Sequence, residues 1–264
     1  MSTSSYEKTP ANTIHRKSNK GTYDRETIHK IVNACPIVHV AFIPDPYEPF
    51  PVVLPMIGVI ARYPESTQDA DEDYLYLHGY TSARFFKQTT KESEDGDEGG
   101  LNVCVSAALV DGLVLSLTPN SHSMNFRSAV LHGRATLLKD EPERLWAMQE
   151  ITNHVLPNRW SQTRLPPNTT ELTSTKILKV LISSASAKIR AAEPGDEKYD
   201  LEREDVVSST WTGIVPMHTQ YGEPVPSSYN RVKEVPSNIV EYVQRSNEEG
   251  KAYAEEVATK SPPK

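Results

Sequence analysis

Apolar residues recur along this chain at two periods, and the change from one to the other marks out its elements. Behind Asp24, the residues Ile28, Ile31, Val32 and Cys35 fall at three- and four-residue spacing and Pro36 follows. This predicts a short amphipathic helix capped by Asp24 and ended by the proline. The apolar runs 37–43 and 51–61, separated by PDPYEP, read as a hairpin. Pro51 and Pro55 limit ladder bonding in its second strand, which places that strand at an edge, either beside a ligand or at a plain barrel rim. Residues 74–78 alternate, with Leu75 and Leu77 on one face and Tyr74, Tyr76 and His78 on the other.

The runs 101–110 and 113–118 are joined by Asp111-Gly112, the strongest hairpin signal in the sequence. HSMNFRSAVLHGRATLLKD then predicts a long strand in which Gly133 is a bulge or bend. Asp140 and Glu143 form a capping-box pattern ahead of a helix with an apolar stripe at Leu145, Met148, Ile151 and Val155, stopping before Pro157. Residues 157–171 read as a linker, and 177–182 as a strand continued into SSASAKIR, where Ser186, Lys188 and Arg190 would share a face. Trp211 and Ile214 are expected against the core, and residues 237 to about 259 form a surface helix. The order of elements describes an antiparallel barrel decorated with helices, not alternating βαβ units.

Composition narrows this to a chain able to bury one sizeable core. With 264 residues, 37 % of them hydrophobic, one domain is expected over residues 21–216. A polar, mobile arm (1–20) precedes it and an extension with a surface helix (217–264) follows. A net charge of −7, with acid concentrated in the loop PESTQDADED (64–73) and in residues 91–99 of the loop KESEDGDEGG, argues against a nucleic-acid or anionic-membrane partner. No apolar h-region and no bilayer-length apolar run is present, so a soluble, cytoplasmic protein is expected. Cys35 and Cys104 lie in apolar segments and read as buried thiols.

Most chemical motifs are missing. There is no GxGxxG, no GxxxxGK[ST], no GxSxG and no HExxH, and the eight histidines are scattered singly. Metal chemistry is not expected. The informative stretch is DYLYLHGYTSARFFK (73–87), where a strand runs through Gly79 into a helix carrying Ser82 and Arg84 in its first turn. Unpaired amides and the helix dipole attract phosphate there, and a hydroxyl and a guanidinium add donors. The plain alternative is a capped helix with a solvated arginine. Arg127 needs an anionic partner, protein or ligand, if it points inward. Ser186, Lys188 and Arg190 could again meet an anion, or could form an exposed strand end.

Six stretches, GTYDRETIHKIV, PFPVVLPM, YLHGYTSAR, VSAALVDGLVL, HSMNFRSAVLHGRA and ASAKIR, cover about residues 16 to 191. Together they resemble the pyridoxamine 5′-phosphate oxidase-like FMN-binding superfamily, and within it the nitroimidazole-reductase-like and flavin-nucleotide-binding branch. The resemblance implies a mainly β fold with peripheral helices (α+β), an antiparallel split β-barrel, and a homodimer with FMN in clefts at its interface. The family's phosphate-binding Ser-Arg-Lys run falls on Ser82, Ala83 and Arg84, so one cation is missing. Lys188 and Arg190 join Ser82 and Arg84 as phosphate candidates, while Arg127 and Ser128 are candidates for phosphate or ring. Val53, Leu54 and Pro55, with Leu77 and His78, are expected to line the flavin ring, and His78 or His122 to meet the substrate.

The implied activity is FMN-dependent oxidation or reduction of a small organic molecule, with NAD(P)H a possible electron donor. The alternative is a flavin- or haem-binding carrier without turnover. Vitamin B6 oxidation is disfavoured, because WTGIVPMHTQYGEPVP does not match the Trp and spaced arginines with which the oxidases hold pyridoxal phosphate.

Overall fold

The computed structural model describes residues 4–45, 47, 49–65, 73–92 and 99–261, so the acidic segments 64–73 and 91–99 fall largely outside the described residues. The chain divides into two interleaved compact units, 1–108 with 128–188 and 109–127 with 189–264. That division differs from the single block 21–216 expected from the sequence. The first unit holds β1 (Gly21–Thr22), α1 (Arg25–Ala34), β2 (Val38–Phe42), β3 (Val52–Met56), β4 (Gly58–Ala61), β5 (Tyr74–Tyr80) and α2 (Arg84–Glu92). The long strands β6 (Leu101–Leu115), β7 (Ser123–Leu137) and, after α3 (Glu141–Val155) and α4 (Thr169–Ser174), β8 (Thr175–Arg190) contribute residues to both units. The second unit adds α5 (Lys198–Leu201), α6 (Glu204–Val207), β9 (Gly213–Pro216) and α7 (Ser237–Ala258).

Strand order is β3-β2-β6-β7-β8-β5-β4, with β1 on β8 and β9 on β6. The predicted hairpin is present, Val40 lying opposite Leu54 in antiparallel register. Its second run, however, divides at Ile57. β3 stays on β2 and occupies one end of the order, while β4 pairs with β5 at the other end. Consecutive strands thus terminate the two ends of one open, antiparallel arrangement. Gly58 makes the swing possible, since a Cβ there would stand 2.6 Å from Leu77 Cδ2 and 3.2 Å from Val38 Cγ2. The edge position of β3 agrees with the prolines at 51 and 55, which have no amide hydrogen to offer a neighbour.

α1 starts where expected, the Asp24 carboxylate accepting from the Thr27 amide at 2.8 Å, and it buries Ile28, Ile31 and Val32. Each such side chain contributes about 1.5–3 kcal/mol by leaving water. α3 is capped by Asp140, whose carboxylate accepts from Glu143 N at 2.9 Å. The predicted capping box is only half made, because Glu143 turns inward. It accepts from the Tyr76 hydroxyl at 2.6 Å and pairs with Lys179 at 2.9 Å. The apolar stripe is rotated accordingly: Ala147 and Ile151 are buried among Val59, Tyr76 and Ile177, whereas Leu145 and Val155 are exposed.

Three further expectations fail. Asp111-Gly112 is not a turn; β6 runs straight through it. Asp111 is buried and bonded to Arg127, and Gly112 lies opposite Pro216 of β9, so tertiary pairing replaces the local turn preference. Trp211 is exposed rather than in a core. Within the 157–171 linker, Asn168 and Glu171 form a complete capping box that opens α4. At the amino end, Tyr6 is buried, with its hydroxyl 2.8 Å from His29 Nε2 and donating to Asp73 at 3.0 Å. Asn12 donates to the Ala185 carbonyl at 3.1 Å. Residues of the stretch expected to be a mobile arm therefore make specific contacts within the first unit.

Candidate functional site

In the first unit, β5 delivers the chain through His78 and Gly79 to α2. Gly79 is packed so closely that a Cβ would lie 2.3 Å from the Phe86 ring. Phe85 and Phe86 are both buried, Phe85 against Phe42 with ring centroids 4.6 Å apart, and they fix the start of α2. Two amides of the turn are already paired: Thr81 N donates to Ser174 O at the end of α4 at 2.9 Å, and Ala83 N to Tyr80 O within the turn at 3.0 Å. Ser82 and Arg84 remain exposed beside the helix N-terminus. Neither side chain has a hydrogen bond or ion pair among the described residues. A hydroxyl, a guanidinium and the positive end of a helix are thus free to receive an anion.

The other predicted residues divide by the way they are satisfied. His78 is half-buried, its Nδ1 has no hydrogen-bond partner, and burial pushes its pKa down, favouring a neutral ring. Val53 and Pro55 are exposed on edge strand β3, while Leu54 points to the other face and is half-buried. Leu77 is fully buried opposite Gly58 and Leu178, so its side chain is core and only its backbone could approach a ligand. Ser128 and Lys188 come together: the Ser128 hydroxyl donates to the Lys188 carbonyl at 3.2 Å, and Lys188 Nζ donates to the Arg16 carbonyl at 2.9 Å.

Arg127, Arg190 and His122 belong to the second unit, where each has protein partners. Arg127 grips the buried Asp111 carboxylate through two nitrogens, at 3.0 and 2.6 Å, and its guanidinium lies 3.9 Å from the Tyr253 ring centroid. The inward-facing reading of Arg127 therefore holds, with a protein carboxylate as its anion. Arg190 is buried and donates to Asn125 Oδ1 and to the carbonyls of Ala192 at 2.9 Å and Glu193 at 3.0 Å. His122 is exposed, its Nδ1 2.9 Å from the Thr118 carbonyl.

Sequence reasoning passed over a cavity of about 530 Å³ in the first unit, between residues of β2, β6, β7 and β8. Phe42, Ile43 and Val103 give it an apolar wall, and Cys104, His132 and Arg134 also line it. Burial lowers the His132 pKa and raises that of the Cys104 thiol, favouring the neutral form of each. The signal was present in LHGRA, where strand alternation sets His132 and Arg134 on one face. Gly133 between them admits the β8 backbone, since a Cβ there would be 2.2 Å from the Leu181 carbonyl oxygen. Among the described residues no cluster of three metal-ligating side chains occurs, and no helix is long and apolar enough to cross a membrane.

Comparison with known proteins agrees with this architecture. The flavocytochrome Anf3 from Azotobacter vinelandii superimposes with a TM-score of 0.70 and 27 % identity, over 88 % of this chain and 96 % of that one. An FAD- and haem-binding protein from Mycobacterium smegmatis gives 0.68 and 24 % over 85 % and 97 %, a likeness of fold. No curated protein matches. The antiparallel α+β arrangement is the split-barrel fold expected from the sequence. The family model described as pyridoxamine 5′-phosphate oxidase matches residues 24–189, well over half of the chain, and to that family this protein belongs.

Proposed function

We propose that this protein is a flavin-dependent oxidoreductase that binds FMN through the strand-to-helix turn of its first unit and acts on a small organic molecule as a homodimer. The observation that carries the reading is the contrast at that turn: Ser82 and Arg84 stand beside a helix N-terminus with no protein partner among the described residues. Membership of the pyridoxamine 5′-phosphate oxidase family supports the same site. These groups suit the phosphate of FMN, and the unpartnered Nδ1 of His78 is a buried polar atom that a flavin or substrate acceptor or donor could satisfy.

Arg84 supplies the charge, Ser82 a hydroxyl, and the α2 amides fixed dipoles that need no reorganisation. Exposed Val53 and Pro55 offer an apolar edge to the ring. A neutral His78 presents a hydrogen bond to substrate without placing a second cation beside it. When bound, FMN supplies the capacity to accept or donate hydride. Reduction would come from NADH or NADPH. Vitamin B6 is not the substrate on this reading, since the residues following Trp211 lack the oxidase module.

Purification followed by a visible spectrum tests the proposal. A yellow protein whose bound flavin is bleached by NADH or NADPH and reoxidised by a small organic acceptor is the expected result. A colourless protein that ignores added FMN would sink it. The likeness to a flavocytochrome favours a second reading, a flavin- and haem-binding carrier, for which a Soret band on haem addition is the expected signature.

A further inference from the structure

We infer that the segment between β9 and α7 is an arm exchanged between two copies of this chain, Tyr229 of each copy seating in the cavity beside Cys104 of the other. The inference rests on the homodimer of the proposed function and assigns its contact. Residues 217–236 hold no helix or strand, yet the segment is held in shape. The Tyr221 amide donates to Asn247 Oδ1 of α7 at 2.7 Å, and a turn closes where Asn230 N donates to the Ser227 carbonyl at 2.9 Å. Tyr229 stands on that turn and is 85 % exposed, flanked by Val225 at 89 % and Val232 at 63 %. Its hydroxyl has no hydrogen-bond partner among the described residues. With Val235, these side chains leave on the order of 400 Å² of apolar surface in water, as much as a soluble monomer ordinarily carries in one patch. Two such arms, each covering an equal area on the other copy, would bury about 1,600 Å², the size of a stable interface.

The chain carries the matching surface on its first unit. Val53 lies opposite Ala41, and Ala41 opposite Cys104, so the three share one face of the sheet. Val53 is exposed there, while Ala41 and Cys104 line the cavity of about 530 Å³ together with the apolar Ile43 and Pro51. The polar lining works in both directions. Asn102, Ser183, Cys104 and His132, whose ring burial keeps neutral, each accept as well as donate. A phenol also does both and brings no charge, and tyrosine is one of the commonest anchors of protein interfaces.

Charge agrees with this pairing. The hairpin loop IPDPYEPF (43–50) carries Asp45 and Glu48 and no base, whereas SYNRVK (228–233) carries Arg231 and Lys233 and no acid. Neither of those two bases has an ion pair among the described residues. A projecting basic arm and an acid-edged hollow on the same chain select a second copy, because a two-fold axis then satisfies both at once. Any other partner would cover one and leave the other in water.

Three measurements on the full chain, each made with and without FMN, test this. In Tyr229→Cys, bismaleimidoethane should join position 229 to Cys104 of the other copy, giving a covalent dimer on a denaturing gel that is lost when Cys104→Ser is added. Tyr229→Ser should raise the dimer dissociation constant about tenfold or more in sedimentation, as loss of a buried aromatic anchor does, with Tyr229→Phe falling between it and the wild type. Asp45→Lys and Arg231→Glu should each weaken self-association by about tenfold. Mixed together, these two variants should pair with one another in native mass spectrometry, since both contacts of the mixed dimer again join opposite charges.

No crosslink, one confined within a single chain, or one that survives Cys104→Ser would overturn the inference and leave the homodimer in place. So would wild-type dimerisation of a Tyr229→Ser chain shown to be folded by its thermal melt, or no preference for the mixed pair. A wild-type chain that stays monomeric with and without FMN would remove the homodimer of the proposed function and this contact with it. A protein that takes no FMN yet exchanges its arms would keep the contact, and only the flavin reading would fail.

Discussion

Two sets of cationic side chains, one in each unit, look alike in sequence and are opposite in structure. Arg127 and Arg190 of the second unit are occupied by Asp111, Asn125 and main-chain carbonyls. Arg84 in the first stands exposed at the head of a helix with no partner among the described residues. A buried guanidinium must be satisfied by the protein for the fold to tolerate it, whereas a binding group is stable only if water satisfies it until the ligand arrives. The state of the donors, rather than the residue type, separates the residues that hold the molecule together from those available to a ligand.

The largest effect expected from this contrast comes from Asp111→Ala. It leaves Arg127 facing a site built for a carboxylate, and breaking a buried ion pair costs about 3–5 kcal/mol; the partial exposure of Arg127 puts this case near the lower end. Urea unfolding should show a lowered midpoint with little change in slope. The folded variant should still bind FMN with unchanged affinity. Loss of FMN with stability intact would break the comparison and make Arg127 a ligand residue.

Arg84→Ala should do the reverse. FMN affinity falls by about 1.5–3 kcal/mol, the worth of a hydrogen bond to a charged group, and apo stability shifts by no more than about 0.5 kcal/mol, as for an ordinary surface residue. Flavin fluorescence titration beside a thermal melt of the apo protein reads both. With Ala83 in place of the family's cation, Arg84 is the side chain that carries charge at this turn, so unchanged affinity would remove the phosphate site from α2.

How legible this was in the sequence follows from how local each determinant is. The Asp24 cap, the edge position of β3 and the strand-to-helix passage at Gly79 depend on neighbours within a few residues, and all are as read. Asp111-Gly112 fails because its local turn preference is outweighed by partners distant in sequence, Arg127 and β9. Glu143 fails for the same reason, drawn from the capping box to Tyr76 and Lys179. The exposed placement of Ser82 and Arg84 at the start of α2 was legible because a helix start is a local feature. That the donors of Arg127 and Arg190 are taken up was not, since alternation gives the face a residue is on and not what waits there.

The Asp73 cluster tests whether satisfied polar groups in the first unit behave like those of the second. Burial alone would raise the Asp73 pKa, yet hydrogen bonds from His29, Arg25 and Tyr6 hold it down to about 2. A carboxylate depressed in the folded state contributes stability that is full above the unfolded value, near 3.8, and is lost as pH falls towards the folded one. The expected loss is on the order of 1–2 kcal/mol between pH 4 and pH 2, allowing for partial exposure. It should be absent in Asp73→Asn, whose unfolding free energy would follow a flatter course over the same window. Identical acid limbs in the two proteins would show that this cluster, though bonded, does not hold the amino-terminal segment in place.

The smallest effect sharpens the comparison most, because it separates the helix from its side chains. Ser82→Ala removes one neutral hydroxyl from the turn and leaves the α2 amides and Arg84 as they were. FMN affinity should fall by about 1.5 kcal/mol, the low end for a hydrogen bond to a charged group because the hydroxyl is exposed and itself neutral, while the Arg84 loss should largely persist in the double variant. Since both side chains would meet the same phosphate, the two losses should not add, and a coupling energy of about 0.5 kcal/mol or more is expected. Strict additivity would mean that Ser82 and Arg84 act on different groups, with the hydroxyl serving the turn and only the guanidinium serving the ligand.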